Sequence, residues 1–154
     1  MKLSQRGEYA IQALLVLGMY HGPEVIRIKD IARRQNIPRR FLEQILNDLK
    51  SGGFVQSRRG VAGGYRLERT PEEISLSEII RHIEGPLESS HSLSLGDKKH
   101  NLHSDEAAKC AINFVMQDVR SAIVEVLEAV TLSDLCRRVR EIQGPMENPP
   151  DYII

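Results

Sequence analysis

Apolar positions recur at helical spacing along most of the chain and at strand spacing in one short stretch. Over residues 3–20, Tyr9, Ala10, Ala13, Leu14, Leu17 and either Gly18 or Tyr20 share a face. Leu15, Val16 and Met19 make this segment apolar almost all round, which predicts a buried core helix. Ser4 is placed to cap it, and His21-Gly22-Pro23 ends it. In residues 28–34, Ile28, Ile31 and Ala32 face inward while Lys29, Arg33 and Arg34 face out. Gln35-Asn36-Ile37 makes a turn. Pro38 then sits where a helix favours its first residue, because a missing N–H costs nothing there. The helix predicted over residues 38–50 buries Phe41, Leu42, Ile45, Leu46 and Leu49, and Gly52-Gly53 stops it. Its outer face begins with Arg39, Arg40 and Glu43, with Gln44 and Asn47 beside them.

Two short helices about a tight turn form a helix-turn-helix pattern. An ordinary helical hairpin in an all-α core has the same pattern. The following segment separates the two. Residues 54–57 and 64–67 read as two strands, with Arg58-Arg59-Gly60-Val61-Ala62-Gly63 as the tip between them. Gly60, Gly63 and Gly64 allow a tight turn or a close backbone approach, and Tyr65 opens the returning strand. Two arginines on a glycine-rich loop suit phosphate contacts or a narrow minor groove. A metabolic phosphate loop is the rival, but the lysine-bearing spacing of a P-loop is missing. The combination predicts a winged helix-turn-helix in residues 1–85. Its candidate DNA contacts are Lys29, Arg33, Arg39, Arg40, Glu43, Gln44, Asn47, Arg58, Arg59, Gly60, Gly63, Gly64 and Tyr65.

Residues 75–83 read as a further helix. Ser75 and Glu78 form a capping box, and Leu76, Ile79, Ile80 and Ile83 make the inner stripe. Residues 86–104 are polar and contain His91, His100 and His103, which predicts a loop. Residues 105–130 then form one long helix of about 39 Å. Ile112, Val115, Val119, Ala122, Val126 and Ala129 step along it by threes and fours as a heptad seam, widened by Ile123, Leu127 and Val130. Such a seam pairs with a second subunit or packs on its own domain. Pairing suits a reader of two-fold symmetric DNA. Residues 131–137 make a last short helix, in which Cys136 reads as a small core residue. Residues 139–154 form a breaker-rich tail ending Tyr152-Ile153-Ile154. The fold class expected is therefore mainly α: a winged helix-turn-helix followed by a dimerisation helix over 105–138.

Charge changes this picture. The net charge is zero, yet residues 1–70 carry thirteen basic and six acidic side chains while the remainder is acidic by the same margin. A balance of +7 against −7 points to one half that meets a polyanion and one with another task, unless charges have segregated by chance. No apolar run approaches the ~18 residues that span a membrane, and no signal-like segment opens the chain, so a cytoplasmic location is expected. Two cysteines are too few for a secreted disulfide framework. Neither a nucleophile–base pair nor paired catalytic carboxylates emerge, which argues against an enzyme.

The segments MKLSQRGEYAIQALLVL, IARRQNIPRRFLEQILNDLKSGGFVQSRRGVAGGY, SLSEIIRHIEGP and TLSDLC together resemble the Rrf-two family of bacterial transcription regulators, over about residues 1–138. The resemblance implies a homodimer with a long crossing helix, bound to double-stranded DNA at a palindromic promoter site, more often as a repressor. It places Arg40 and Glu43 where family members read bases, and Arg59 with Gly60 at the wing tip. The runner-up function is a winged-helix module that binds another protein and no specific DNA.

The effector is less determined. Cluster-binding members carry three closely spaced cysteines before the long helix. Here Cys110 alone stands there, at the place of the last one, and Asn113 stands where a ligating histidine would follow. One cysteine does not supply the four or so ligands of an iron–sulfur cluster. Family members with fewer cysteines use a Glu and a His of the first helix. Glu8 matches the former, but Gln12 replaces the latter. A mixed site of Cys110, His91 or His103, and Glu8 of a second subunit is the remaining metal candidate. The better-supported expectation is no cofactor, as in the cysteine-metabolism branch, which shares the aromatic-Ile-Ile ending. Control would then come from an effector metabolite, a partner protein, or oxidation of Cys110, whose thiolate a helix N-terminus would favour.

Overall fold

The computed structural model describes residues 2–87 and 103–145. Six α-helices and one antiparallel hairpin follow each other in the predicted order. Helix α1 (Gln5–Met19) is the central helix: Ala10, Ala13, Leu14, Val16 and Leu17 are all buried, and Ser4 accepts the Gly7 N–H at 3.0 Å as its cap. Helix α2 (Ile28–Gln35) turns into α3 (Arg39–Ser51) at Asn36, which takes the left-handed conformation at φ 51°. A short polar side chain tolerates that conformation, where a β-branched one would be strained. Pro38 is the residue just before α3, one position earlier than expected; the Phe41 and Leu42 N–H groups both bond to its carbonyl.

Phe41 is a correction. Its spacing suggested burial, but its ring is 55% exposed, because Leu42, Ile45, Leu46 and Leu49 already fill the inward stripe of α3. Phe41 lies on the flank of that stripe.

Strands β1 (Val55–Arg58) and β2 (Gly64–Leu67) pair in the register Val55 to Leu67 and Arg58 to Gly64, one residue later at the start of β1 than the sequence pattern gave. Ile26 adds a single-residue third edge, exchanging two hydrogen bonds with Tyr65 at 2.8 and 2.9 Å. A 3-10 turn (Pro71–Glu73) leads to α4 (Leu76–Glu84), whose Ser75–Glu78 capping box is formed as predicted.

Among the described residues, helix α5 (Ser104–Ala129) packs mainly against α4. Leu127 is its one buried residue, and Ile123 one turn before it is half-buried. Ile112, Val115, Val119, Ala122 and Val126 are exposed, as are Phe114 and Met116. Within this chain the heptad seam therefore packs on nothing described.

The chain then returns. Helix α6 (Leu132–Gln143) runs six residues past the predicted end, and Leu132 and Cys136 join the same core cluster as α1. Thr131 and Asp134 close a capping box, and backbone bonds at 2.8 Å tie Leu76 to Val130 and Leu132 to Ile74. The Asp134 carboxyl is held below the usual carboxylate range, first by the Thr131 backbone N–H and then by its hydroxyl. Among the described residues no helix is long and apolar enough to cross a membrane. The ending Tyr152-Ile153-Ile154 lies outside the described residues.

Candidate nucleic-acid interface

The wing stands beside α3 and leaves a cleft of about 540 Å³ between them. Six cations line it: Arg27 and Lys29 from the start of α2, Arg39 and Lys50 from the two ends of α3, and Arg58 and Arg59 from the wing. No acidic side chain is among its lining residues. A groove of that composition concentrates positive potential and favours a polyanion. Asn47, Gly60, Gly63, Gly64 and Tyr65 complete the predicted part of the lining.

The glycines earn their places in two ways. Gly60 has φ 109°, a conformation that a side chain strains. A Cβ on Gly64 would press into the Ile26 carbonyl, and one on Gly63 into the Arg58 carbonyl. Both are therefore set by close backbone approach. The Gly63 N–H donates to the Gly60 carbonyl at 3.0 Å and closes the tip, leaving Val61 98% exposed. Lys50 Nζ donates to Ser57 Oγ at 2.7 Å and ties the end of α3 to β1.

Four predicted contacts lie outside the cleft. Arg40, Glu43 and Gln44 are exposed on the outer face of α3, away from its apolar stripe. Glu43 accepts from Arg39 Nε at 3.3 Å, an exposed pair worth about 0.3–0.5 kcal/mol, so Arg39 is easily drawn to a phosphate or base and Glu43 to a base amino group. Arg33 is exposed on α2 and reaches Asp30 at 3.4 Å. Arg27, Lys50, Ser57 and Val61 were not singled out from the sequence. Lys50 closes a helix and Arg27 precedes one, so neither stands on a periodic face; only the hairpin's return brings them together.

Of the metal and redox candidates, the described residues of this chain place Glu8, His103 and Cys110. Glu8 is exposed on α1, and His103 is the residue before α5, its N–H bonded to Glu106 Oε2 at 3.3 Å. His91 lies outside the described residues. Among the described residues no three metal-ligating side chains gather. Cys110 is half-buried in the second turn of α5. This corrects the expectation that it starts the helix, since the helix end charge is concentrated in the first turn. Cys136 is 2% exposed, 4.0 Å from the Leu15 carbonyl, and burial pushes its thiol above the usual range. It is thus a core residue, and one thiol per chain does not fit a four-thiolate cluster. In the Cys110→Ser variant, a thiol reagent at mildly alkaline pH is expected to leave Cys136 unmodified until denaturant is added; prompt reaction would contradict its burial.

The family model described as an iron-dependent transcriptional regulator, Rrf2, matches residues 3–138. The chain belongs to the Rrf2 family. It is 36% identical to a helix-turn-helix regulator of Mycobacterium tuberculosis over 88% of this chain and 81% of that one. It is 34% identical to the regulator CymR of Bacillus subtilis over 88% and 89%. The solved structure of CymR, the global cysteine regulator of B. subtilis, superposes with a TM-score of 0.73 over 90% of this chain and 98% of that one, at 33% identity. That of T. potens IscR gives 0.72 over 95% and 93%, at 32% identity. These relatives are transcriptional regulators and not enzymes. Membership in the Rrf2 family makes this chain a DNA-binding transcription regulator, with the winged helix-turn-helix and long C-terminal helix expected from its sequence.

Proposed function

We propose that this Rrf2 regulator is a repressor that acts as a homodimer on a palindromic promoter site, with α3 and the wing as its DNA face. The observation that carries this reading is the cleft lined by six cations and no carboxylate. In this reading the first turns of α3 enter the major groove, where Arg40 and Glu43 meet base edges. Arg58 and Arg59 follow the phosphates, or enter the adjoining minor groove behind the exposed tip at Val61. The exposed seam of α5 joins the two subunits. Residues 1–85 are the DNA-binding unit, residues 86–104 the effector region, and residues 105–138 the dimerisation region. The signal is redox, sulfur or iron status, received without a resident cluster, through Cys110, a metabolite or a partner protein. The single available thiol supports this, as does the likeness to a regulator named for cysteine.

Two substitutions test the DNA face. Arg59→Ala is expected to weaken binding to all duplex sequences and to reduce the slope of log K against log salt by about one. Glu43→Ala is expected to alter base preference, relaxing discrimination at one position by about 1–3 kcal/mol with the salt slope unchanged. Anisotropy titrations on a duplex selected from a randomised pool measure both. If neither variant differs from wild type, α3 and the wing are not the DNA face.

A further inference from the structure

Helix α4 sends three polar side chains to three different elements. Arg81 donates to Glu128 of α5 at 3.0 Å. Glu84 accepts the Ser4 N–H at 2.6 Å, at the start of α1. His82 Nε2 lies 2.7 Å from the Asp48 carbonyl oxygen in the last turn of α3. A carbonyl only accepts, so Nε2 carries the proton. Asp48 is held from a second side as well, by an ion pair with Arg6 of α1.

The same imidazole reaches the wing. Its ring stands 5.4 Å from that of Phe54, tilted by 57°, and Phe54 immediately precedes β1. On the returning side, Arg69 places its guanidinium 5.4 Å from the Phe54 centroid and donates to Glu78 of α4 at 3.2 Å. One helix therefore grips the end of α3 and both roots of the hairpin. Gly52 makes the contact possible: a Cβ there would lie 2.7 Å from His82 Cε1 and 2.8 Å from Phe54 Cε2. Its φ of −81° is ordinary, so this glycine is required by the closeness of the imidazole and the Phe54 ring and not by its own backbone conformation.

A two-stranded hairpin is marginal by itself and takes its orientation from what it leans on. We propose that His82 is a positioning residue for DNA binding, fixing the wing against α3 so that Arg59 and the start of α3 engage one duplex together. His82, Asp48 and Phe54 are all absent from the lining of the cationic cleft, and the imidazole acts through Phe54 and the helix end. The inference rests on reading α3 and the wing as the DNA face.

The test uses the full-length protein and a duplex selected from a randomised pool. His82→Ala is expected to raise Kd about three- to tenfold, the scale of one lost hydrogen bond. His82→Gln, which keeps a side-chain N–H donor, is expected to recover part of that loss. Gly52→Ala, which crowds the imidazole and the Phe54 ring apart with His82 itself intact, is expected to reproduce it. The deciding measurement is a double-mutant cycle. Residues at opposite ends of the wing normally act additively. Here, His82→Ala in the Arg59→Ala background is expected to add little, because the arginine it aligns is gone. Wild-type affinity for His82→Ala, or full additivity with Arg59→Ala, would overturn the proposal. Failure of the underlying reading looks different: Arg59→Ala alone would leave binding unchanged.

Discussion

Val119→Lys is expected to yield a folded protein of half the native mass that binds a symmetric duplex at least about a hundredfold more weakly, the loss typical when two linked sites become one. In the single chain Val119 is 45% exposed, and lysine is the better helix former, so the fold tolerates it. Across a two-fold seam the added ammonium would be stripped of water and face its own copy. Ile112, Val115 and Val126, all about 60% exposed, continue that stripe together with exposed Ala122. Light scattering reads the mass, circular dichroism the fold, and anisotropy the affinity. A dimer of unchanged mass and affinity would show that α5 does not join the subunits.

Leu132→Ala is expected to lower the stability of the whole protein by about 3 kcal/mol, within the range for removing a buried leucine. The residue is fully buried and belongs to the cluster built on Leu14 and Leu17. At roughly 2–4 °C per kcal/mol for a chain of this size, the midpoint should fall by about 6–12 °C. The exposed ion pairs, such as Arg81 with Glu128, are worth at most about 1 kcal/mol each and do not offset this. Urea titration and calorimetry measure the change. A loss below about 1 kcal/mol would mean that α6 is an accessory to the core rather than part of it.

What the sequence made legible follows from how local each signal is. The helices were readable because apolar residues return every third or fourth position, and the caps because Ser75 and Glu78 stand at the required offset. The hairpin was readable because Gly60 marks a turn that other residues strain. Phe41 misled because a hydrophobic residue beside a full inward stripe has no inward place left. Cys110 misled because α5 starts six residues before it. Helix α6 was cut short although Leu132, Leu135, Cys136 and Val139 keep the helical step, since the charged residues between them resemble a tail. The cleft itself was half legible: the arginines of the wing were evident, whereas Arg27 and Lys50 join them only through the Ile26–Tyr65 pairing and the return of β1. His82 gave no sequence signal, because its partners Asp48 and Phe54 are distant in the chain.

The return of α6 to α1 also sets an order of events during synthesis. Cys136 meets the Leu15 carbonyl across 121 positions of sequence. Chains leave the ribosome N-terminus first, and contacts this remote wait for their later partner. The groove on α1 thus stays open while the reading helix, the wing and all of α5 are already made. A nascent chain can present its cationic hairpin early, but its core closes only when the residues around Leu132 emerge. A chain terminated anywhere within α5 would leave the face of α1 around Leu15 and Gly18 as an unfinished apolar surface, a natural mark for proteolytic disposal.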